Sequence, residues 1–395
     1  MKKVYVIIGA SATGISAVNK LHQLDPEAEI ICISKELELP YNKCKLARYL
    51  AGKTLEDELS IVSEQIATVK SIHVILGQAV VKIVADNKSI MLEGGQEISY
   101  DKLFIATGAS AVTPEIQKNS LLGGLFNFHT LGQTNDMLTF IKKENPKHAV
   151  VVGSGMTGLE CADALHQRGI SVSIVEMKDR VLRDQSDAYG SELIENSICK
   201  QRSNLYLGER VTALDGQAGL VKEVLLQSGK SVPADMVIFA VGVQPNTDLA
   251  KHAGIKVTQY GIETDKYMGT DCDDIYAGGD TAAVKDYITQ KMVRSCMWPD
   301  ACFQGIVAAH AMTGSKDVTY AGTAPLAVSK FWGMKLASCG PVDAGDSIYE
   351  QVIKKKKGSY SKIVLKDGIV CGFLLVGDIA QLGTLRRALL AREKI

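Results

Sequence analysis

The sequence has no hydrophobic run approaching the roughly 20 apolar residues that a membrane helix needs, so we expect no membrane-spanning segment. It also has no net charge, because 44 basic residues balance 44 acidic ones, which gives no reason to expect nucleic acid or an anionic membrane as a partner. The apolar stretch after Met1-Lys2-Lys3 breaks at Gly9, too early for a signal peptide. No low-complexity linker separates the parts of the chain.

The nine cysteines form no C-x-x-C pair and no histidine-rich cluster, which argues against a structural zinc site or a disulfide framework. We therefore expect a cytoplasmic protein without a metal ion. A length of 395 residues with 46% hydrophobic content is enough for two or three domains.

Two glycine-rich turns stand out, each after an apolar run typical of a buried strand. The first is Gly9-Ala10-Ser11-Ala12-Thr13-Gly14 and the second is Gly153-Ser154-Gly155-Met156-Thr157-Gly158. Such a turn points backbone N–H groups and a helix dipole at a pyrophosphate. Two of them in one chain indicate two bound dinucleotides, whose natural use is the transfer of electrons from one to the other.

Each turn opens a strand–helix–strand unit, and a different pattern follows at the C-terminal end. The predicted elements are strands 4–8, 29–33, 74–84 and 89–92, a helix to about residue 24, strands 149–152, 171–175 and 236–241, a helix to about residue 168, and a helix over 299–312. The tail from Ala324 alternates apolar and polar residues between turns, with strands near 349–353, 361–365 and 370–376. It is predicted to form a separate antiparallel sheet domain.

The chain resembles the pyridine-nucleotide-dependent flavoprotein reductases with two dinucleotide-binding domains, through five motifs in the expected order. Besides the two turns, they are Ala106-Thr107-Gly108, Val241-Gly242-Val243-Gln244-Pro245-Asn246 and Ile275-Tyr276-Ala277-Gly278-Gly279-Asp280. The resemblance implies an α/β fold of two Rossmann-like three-layer domains with a small α+β C-terminal domain. It places the FAD domain at 1–112 and 246–323, the NAD(P)H domain at 113–245 and the interface domain at 324–395.

The resemblance also implies the cofactors, with FAD at the first turn and NADH, in preference to NADPH, at the second. The residues that we expect to bind them are Gly9, Ser11, Ala12, Thr13, Gly14, Ser34, Lys35, Glu36, Lys43, Val80, Ala106, Thr107, Gly108, Gly153, Gly155, Met156, Thr157, Gly158, Glu176, Gly242, Gly279, Asp280 and Trp298. Asp280 resembles the carboxylate that binds the ribityl chain of the flavin, a role that is compatible with capping a helix.

Two positions of the first strand–helix–strand unit depart from the dinucleotide pattern, and one position of the second unit follows it. Ser11 replaces the second glycine of the first turn, and Ser34 stands where an acidic ribose acceptor is usual, with Glu36 as a substitute. Glu176 ends its strand as such an acceptor and favours NADH, although Lys178 and Arg180 follow closely.

Three residues are candidates for the chemistry. Glu160, expected in the first turn of its helix, resembles the glutamate that faces nicotinamide and flavin, and Lys43 is its expected partner. Cys44 occupies the position of the single redox cysteine of coenzyme A-disulfide reductases, beside cationic residues that would lower a thiol pKa. Cys44 is otherwise a small residue packed on the flavin. Ala12 replaces the histidine of peroxidases and oxidases, which argues against those activities.

The segment Pro40-Tyr41-Asn42-Lys43 is most similar to rubredoxin and ferredoxin reductases, so the first expectation is NADH-dependent reduction of FAD followed by electron transfer to a rubredoxin-like carrier. The alternatives are reduction of a small disulfide such as coenzyme A disulfide through Cys44, and a flavin-bearing redox sensor or assembly subunit. The run Lys354–Lys357 is either a solvated hairpin turn, which the pattern favours, or a docking patch for an acidic carrier. A monomer or a homodimer is expected.

Overall fold

In a computed structural model, the described residues are 2–63, 66, 68–118, 122–343 and 348–394. The helices within them are α1 Ala12–Leu24, α2 Leu46–Leu50, α3 Leu131–Glu144, α4 Met156–Gln167, α5 Ala188–Lys200, α6 Asp248–His252, α7 Trp298–Met312 and α8 Leu382–Ala391.

The first half of the strands belongs largely to the two parallel sheets and the turns around them. These strands are β1 Val4–Ile8, β2 Glu29–Ile33, β3 Ile72–Ile75, β4 Val80–Val84, β5 Ser89–Leu92, β6 Glu97–Ser99, β7 Lys102–Ile105, β8 Ala109–Ala111, β9 Gln117–Lys118, β10 Leu125–Asn127, β11 His148–Val152, β12 Ser171–Glu176, β13 Asn204–Leu207 and β14 Val211–Gln217.

The second half includes the C-terminal sheet. These strands are β15 Leu220–Leu226, β16 Ser231–Pro233, β17 Met236–Phe239, β18 Val243–Pro245, β19 Val257–Thr258, β20 Gly261–Glu263, β21 Ile275–Ala277, β22 Ala282–Lys285, β23 Met292–Arg294, β24 Leu326–Phe331, β25 Met334–Cys339, β26 Glu350–Lys356, β27 Ser359–Lys366 and β28 Ile369–Val376.

The chain divides into two compact units, each made of three segments. The first contains Met1–Lys45, Leu55–Ser110 and Gln244–Thr323, and the second contains Leu46–Thr54, Ala111–Val243 and Ala324–Ile395. The short segment 46–54 belongs to the second unit because Tyr49 donates to Asn135 Oδ1 at 2.9 Å and the Arg168 guanidinium donates to the Leu50 carbonyl.

The first unit is built on a parallel sheet with strand order β3-β2-β1-β7-β21. Alternate residues of β1 enter different cores: Tyr5 and Ile7 pack on the face that α1 and α7 cover, while Val6 and Ile8 pack on the face of the antiparallel strands β4–β6. Burial on both faces explains why these strands read as continuous apolar runs.

The second unit repeats this plan with the parallel order β13-β12-β11-β17-β10. The antiparallel strands β14–β16 share one core with this sheet, which includes Val150, Val152 and Leu214. The equivalent position of β1 and β11 in the two sheets confirms that both glycine-rich turns follow the central strand of a Rossmann-like layer.

The C-terminal sheet of the second unit is antiparallel, with strand order β24-β25-β28-β27-β26, and α8 packs on β28. The predicted antiparallel tail is thereby confirmed, as is the fold class of α/β layers with a small α+β C-terminal part. The Lys354–Lys357 run is a hairpin, as the pattern favoured, since β26 extends to Lys356 and Gly358 turns the chain with φ +76°.

One predicted strand differs in the structure. The extended stretch 74–84 is two strands, β3 and β4, separated by a turn in which Gly77 has φ +69°. Among the described residues, no helix combines the length and the apolarity needed to cross a membrane.

Candidate functional site

The turn after β1 is packed so closely that two of its glycines are required by the protein itself. Gly9 has φ +116°, and a Cβ at this position would overlap the carbonyl oxygen of Ala106. A Cβ on Gly14 would overlap the carbonyl oxygen of Gly9. This packing starts α1 directly at the carboxyl edge of the parallel sheet, where such folds bind their ligands.

The turn after β11 in the second unit has the same construction. Gly153 has φ +103°, and its Cβ would overlap the carbonyl oxygen of Ala240, while a Cβ on Gly158 would overlap that of Gly153. Each unit therefore presents a helix N-terminus at the end of its central strand.

Gly155 differs from these glycines because the protein does not demand it. Its φ of −69° and ψ of −178° suit any residue, and a Cβ there would meet no protein atom within 4 Å. Ser11 holds the equivalent place in the first unit with φ −96° and ψ −161°. The open space beside Gly155 fits the close approach of a pyrophosphate, which is the usual reason for glycine at this step.

The first turns of α1 and α4 are free to bind anions. Ser11 is the N-cap residue of α1 but its side chain makes no capping hydrogen bond, and Gly155 at the same place in α4 has no side chain. Neither helix carries an acidic residue in its first turn. The N–H groups at these ends, together with the helix dipoles, attract phosphate.

Asp280 lies on the short helical turn Gly279–Thr281 of the first unit and is available for a ligand. Burial raises the pKa of its carboxyl, while the charges of Lys43 and Arg294 act in the opposite direction. Within the part of the chain that the structure describes, no group donates a hydrogen bond to this carboxylate. A half-buried carboxylate without a protein donor is suited to accept bonds from the hydroxyl groups of a bound cofactor.

Three of the sequence motifs meet in the first unit through one hydrogen-bond network. Thr107 Oγ1 donates to the Asn246 carbonyl at 2.8 Å, and Asn246 Nδ2 donates to the Thr107 carbonyl at 2.8 Å. Thr281 Oγ1 also donates to the Asn246 carbonyl at 2.8 Å. The network fixes the turn that contains Gly108, whose φ is +66° and whose Cβ would meet no atom within 4 Å.

The acidic residue expected near the adenosine of FAD already has protein partners. Tyr41 donates to Glu36 Oε2 at 2.7 Å, and Lys43 Nζ lies 3.6 Å from Oε1. Ser34 Oγ accepts from the Glu36 backbone N–H at 3.1 Å. The segment from β2 to the 43–45 turn is therefore held as one loop around the Glu36 carboxylate.

Cys44 lies on the short helical turn Lys43–Lys45 and is exposed. Its backbone N–H donates to Asn42 Oδ1 at 2.9 Å, which shapes the turn. The ammonium of the neighbouring Lys45 donates to the Glu58 carbonyl at 2.7 Å. The thiol is thus placed on a defined surface turn rather than in the core.

In the second unit, Glu176 ends β12 and is fixed in place by the glycine-rich turn that follows β11. Ser154 donates to Glu176 Oε2 from its backbone N–H at 2.8 Å and from its hydroxyl at 2.7 Å. The Lys178 N–H donates to Oε1 at 2.9 Å. A carboxylate has about four acceptor positions, so one position remains for a hydrogen bond from a ribose hydroxyl.

Glu160 is the fifth residue of α4 and lies just beyond the first turn in which the sequence predicted it. The first-turn placement is wrong because the helix begins at Met156 and has no acidic residue in its first turn. Burial raises the pKa of the Glu160 carboxyl, and a hydrogen bond from Ser329 Oγ at 2.7 Å opposes this shift. Lys43, its expected partner, belongs to the other unit, so that pairing stays a prediction.

The comparisons with known proteins agree with this geometry. The family model described as pyridine nucleotide-disulphide oxidoreductase matches residues 3–305. The chain belongs to this family. A second model, the C-terminal domain of rubredoxin NAD+ reductase, matches residues 325–393. As a pyridine nucleotide-disulphide oxidoreductase, the protein is an FAD-dependent NAD(P)H oxidoreductase, as predicted.

Individual relatives resemble the chain over most of its length. The epsilon subunit of the NADH-dependent phenylglyoxylate dehydrogenase of Aromatoleum evansii is 28% identical, and the match covers 99% of this chain and 92% of that protein. The rubredoxin-NAD(+) reductase of Pseudomonas putida is 29% identical over 87% of this chain and 88% of its own. The solved ferredoxin reductase of the CYP199A2 system from Rhodopseudomonas palustris has a TM-score of 0.91 and 26% identity, covering 100% of this chain and 96% of that one.

Both cofactors of the family fit the residues present. FAD fits the first unit, because Asp280 offers an acceptor without a protein donor and no atom closes the space beside Gly108. NAD(P)H fits the second unit, because Gly155 leaves its side open and Glu176 is held at the strand end.

The structure places the other predicted site residues at the starts or ends of helices and strands. Ala12 and Thr13 begin α1, Met156 and Thr157 begin α4, Val80 begins β4, Lys35 follows β2, Gly242 follows β17 with φ +118°, and Trp298 begins α7. The cysteines at 32, 161 and 371 are buried. Among the described residues, no His, Cys, Asp and Glu cluster could hold a metal ion.

Sequence reasoning missed four residues that shape the cradles, namely Ser154, Asn246, Thr281 and Gln304. Gln304 on α7 is fully buried, and its Oε1 accepts from the Gly279 N–H at 2.7 Å. Ser154, Asn246 and Thr281 each lie inside or next to a recognised motif, so that proximity was the available signal. Gln304 carried none.

Proposed function

We propose that this protein oxidises NADH with FAD and passes the electrons to a rubredoxin-like carrier protein. The observation that carries the proposal is the match of residues 325–393, whose described part contains the C-terminal sheet and α8, to the C-terminal domain of rubredoxin NAD+ reductases. Similarity to the Pseudomonas putida rubredoxin reductase over 87% of the chain supports it. Bound FAD supplies the conversion of a hydride into electrons for the acceptor, while the protein supplies binding, orientation and charge.

The residues of the chain take distinct parts in this proposal. The FAD domain is assigned to 1–112 and 246–323, the NADH domain to 113–245 and the interface domain to 324–395. In the first unit, Asp280 accepts from flavin-chain hydroxyls, and Lys43 supplies positive charge beside it. Glu160, on α4, is assigned to face the nicotinamide ring of the bound nucleotide.

NADH is proposed over NADPH because of the surroundings of Glu176. Its carboxylate accepts ribose hydroxyls and repels a 2′-phosphate. The Lys178 ammonium, which could attract that phosphate, lies 2.9 Å from Asp184 Oδ1. The nearest lysine is therefore already paired with a carboxylate.

A second candidate function is the reduction of a small disulfide, such as coenzyme A disulfide, through Cys44. The observation that favours it is the exposure of this thiol on the turn next to Lys43. A third is that of an NADH-oxidising subunit of a larger assembly, supported by the similarity to the Aromatoleum evansii subunit over 99% of this chain. None of the nine cysteines, all of which lie within the described residues, forms a disulfide, which supports a cytoplasmic location for any of the three.

Anaerobic titration with NADH separates the first two functions. If one equivalent bleaches the flavin absorbance fully and reduced rubredoxin forms rapidly, the carrier proposal holds. A second equivalent, needed by the wild type but not by Cys44→Ser, would replace it with disulfide reduction. Cys199→Ser, which removes another exposed thiol on α5, is the matched control and should titrate like the wild type.

Slow turnover with both rubredoxin and a small disulfide would distinguish the subunit function from the other two functions. A long-lived complex of the reduced protein with its nucleotide, despite rapid bleaching by NADH, would contradict the carrier proposal and favour a subunit or sensor.

A further inference from the structure

Two arginines downstream of Glu176 are held by a single carboxylate from the C-terminal part of the second unit. Arg180 Nη2 lies 2.6 Å from Asp343 Oδ2, and the Arg183 guanidinium donates to the same oxygen. Asp179 contributes a weaker contact, 3.4 Å from Arg180 Nη1 and 3.6 Å from Arg183 Nε. Asp343 is therefore the shared counter-ion of both guanidinium groups.

The cluster follows closely, along the chain, the strand end at which the ribose of a nucleotide would be read. It begins four residues after Glu176, the proposed acceptor for the ribose hydroxyls, and a cavity of about 800 Å³ opens beside it, lined by Lys178, Arg183, Asp343 and Tyr349 among others. Arginines near the end of this strand are the side chains that accommodate the 2′-phosphate of NADP. Without a counter-ion, Arg180 and Arg183 would favour NADPH, in opposition to Glu176.

We propose that Asp343 is a specificity-determining residue for the nucleotide, because it occupies Arg180 and Arg183 and places a negative charge where a 2′-phosphate would bind. This proposal rests on the proposed NADH-dependent function. Asp343 acts through the two arginines and is therefore a positioning residue rather than a catalytic one.

The burial of Arg180 explains why one carboxylate has so strong an effect. The residue is 9% exposed, and its buried Nε has no hydrogen-bond partner among the described residues. Partial burial would raise the pKa of the Asp343 carboxyl, but the hydrogen bonds and charges of Arg183 and Arg180 hold it below its usual range. Asp343 thus stays charged at neutral pH, and its removal leaves a buried guanidinium in need of another anion.

The test compares 2′,5′-ADP with 5′-AMP as probes of the full-length, FAD-loaded protein by isothermal titration calorimetry. In Asp343→Asn, we expect the ratio of their dissociation constants to shift by about tenfold toward 2′,5′-ADP, because charge-assisted hydrogen bonds to the phosphate replace those to Asp343. In steady-state assays, the KM for NADPH should fall at unchanged kcat, and the values for NADH should stay within about twofold.

Three variants control the result. Asp367→Asn removes the same charge from an exposed turn with φ +55° and should behave as the wild type. Asp343→Glu keeps the charge and should keep the preference. Arg183→Gln, added to Asp343→Asn, should abolish most of the gain.

An unchanged probe ratio in Asp343→Asn, or an equal loss of both probes, would overturn the proposal. Should that variant not fold, Arg183→Gln alone decides: the proposal expects both probes to bind as in the wild type, and selective weakening of 2′,5′-ADP contradicts it. Failure of the wild type to bind 5′-AMP or to be reduced by NADH would instead refute the proposed function.

Discussion

The glycines of the two turns separate what the fold needs from what a ligand needs. Gly9, Gly14 and Gly153 have carbonyl oxygens in the space of a side chain, so their substitution disturbs the fold. Gly155 has neither a positive φ nor a neighbour within 4 Å. The fold does not demand glycine at this position, so the approach of a pyrophosphate is the expected reason for it.

Gly155→Ala should therefore weaken NADH binding by at least about tenfold, because one methyl group blocks the approach of the pyrophosphate. The free energy of unfolding should change by less than about 1 kcal/mol, since the loss of backbone freedom in the unfolded chain offsets a poorer N-cap. Isothermal titration and urea denaturation measure the two effects. Gly383→Ala, at another open glycine in α8, should leave NADH binding unchanged. Equal binding by both variants would contradict a pyrophosphate at Gly155.

Glu160 should make the stability of the second unit depend on pH. Burial raises its native pKa above the ordinary value of 4.5, so the unfolded chain releases the proton first as pH rises. Its stabilising contribution is complete below pH 4.5 and is lost as pH rises through the raised pKa. Glu160→Gln should therefore reduce the decline of Tm that follows as pH rises above 4.5, measured by circular dichroism.

Two further variants test this assignment. Ser329→Ala removes the hydrogen bond that lowers the Glu160 pKa, so it should move the decline to higher pH. Glu192→Gln, at an exposed carboxylate on α5, should reproduce the wild-type curve. If Tm depended on pH in Glu160→Gln as it does in the wild type, this carboxyl would not titrate in the pH range of the decline.

At the level of elements, a buried ion pair joins the start of α5 to strand β27 of the C-terminal sheet. Lys362 Nζ lies 3.1 Å from Asp187 Oδ2, and the two side chains are 6% and 11% exposed. Asp187 also accepts from Tyr360 Oη at 2.7 Å and, as the N-cap of α5, from the Gly190 N–H at 2.9 Å. One carboxylate thus caps the helix and fixes the strand.

Lys362→Met should destabilise the second unit by about 3 kcal/mol, because it leaves the Asp187 charge buried without its counter-ion. The urea midpoint of unfolding measures the loss. Lys366→Met, at the exposed end of the same strand, should change the midpoint little. Addition of Asp187→Asn to Lys362→Met should cost less than the sum of the single changes. Simple additivity would mean that the two side chains do not interact.

The sequence predicted elements well where burial imposes a pattern and poorly where contacts are long-range. The runs 4–8 and 149–152 are strands because both faces are covered, and the alternation after Ala324 gave the C-terminal hairpins. The same patterns could not show that residues 46–54 pack with the second unit. That placement depends on Tyr49 and Arg168 meeting partners more than 80 positions away, as the bonds to Asn135 and Leu50 show.

The candidate site shows the same division. The motifs predicted Gly9, Gly153, Glu176 and Asp280 because each has a fixed place relative to a strand end. Gln304 and Asp343 were not predicted as site residues, since only the fold brings them to Gly279 and Arg180. Local spacing therefore predicts the cradle, while the residues that tune it come from distant segments.

At the scale of the whole molecule, each unit is complete only with its last segment of chain. The first unit needs residues 244–323, which supply β21 and α7 to a sheet and helix layer that begin at Val4. The second needs the C-terminal sheet in addition to the inserted segment 111–243. Because each unit has its own parallel sheet and its own turn, each nucleotide should protect its own unit from local opening.

Hydrogen exchange followed by mass spectrometry tests that assignment on the intact chain. Addition of FAD to flavin-stripped protein should slow exchange in peptides covering 9–14 and 279–281, whereas NAD+ should slow it in peptides covering 153–158. Binding at 100 times the dissociation constant adds about 2.7 kcal/mol of protection to openings that abolish binding. The hairpin 359–376 of the second unit serves as the reference peptide for FAD, and residues 89–99 of the first unit serve as the reference for NAD+. Protection of 9–14 by NAD+ alone, or of 153–158 by FAD alone, would reverse the assignment of the two cradles.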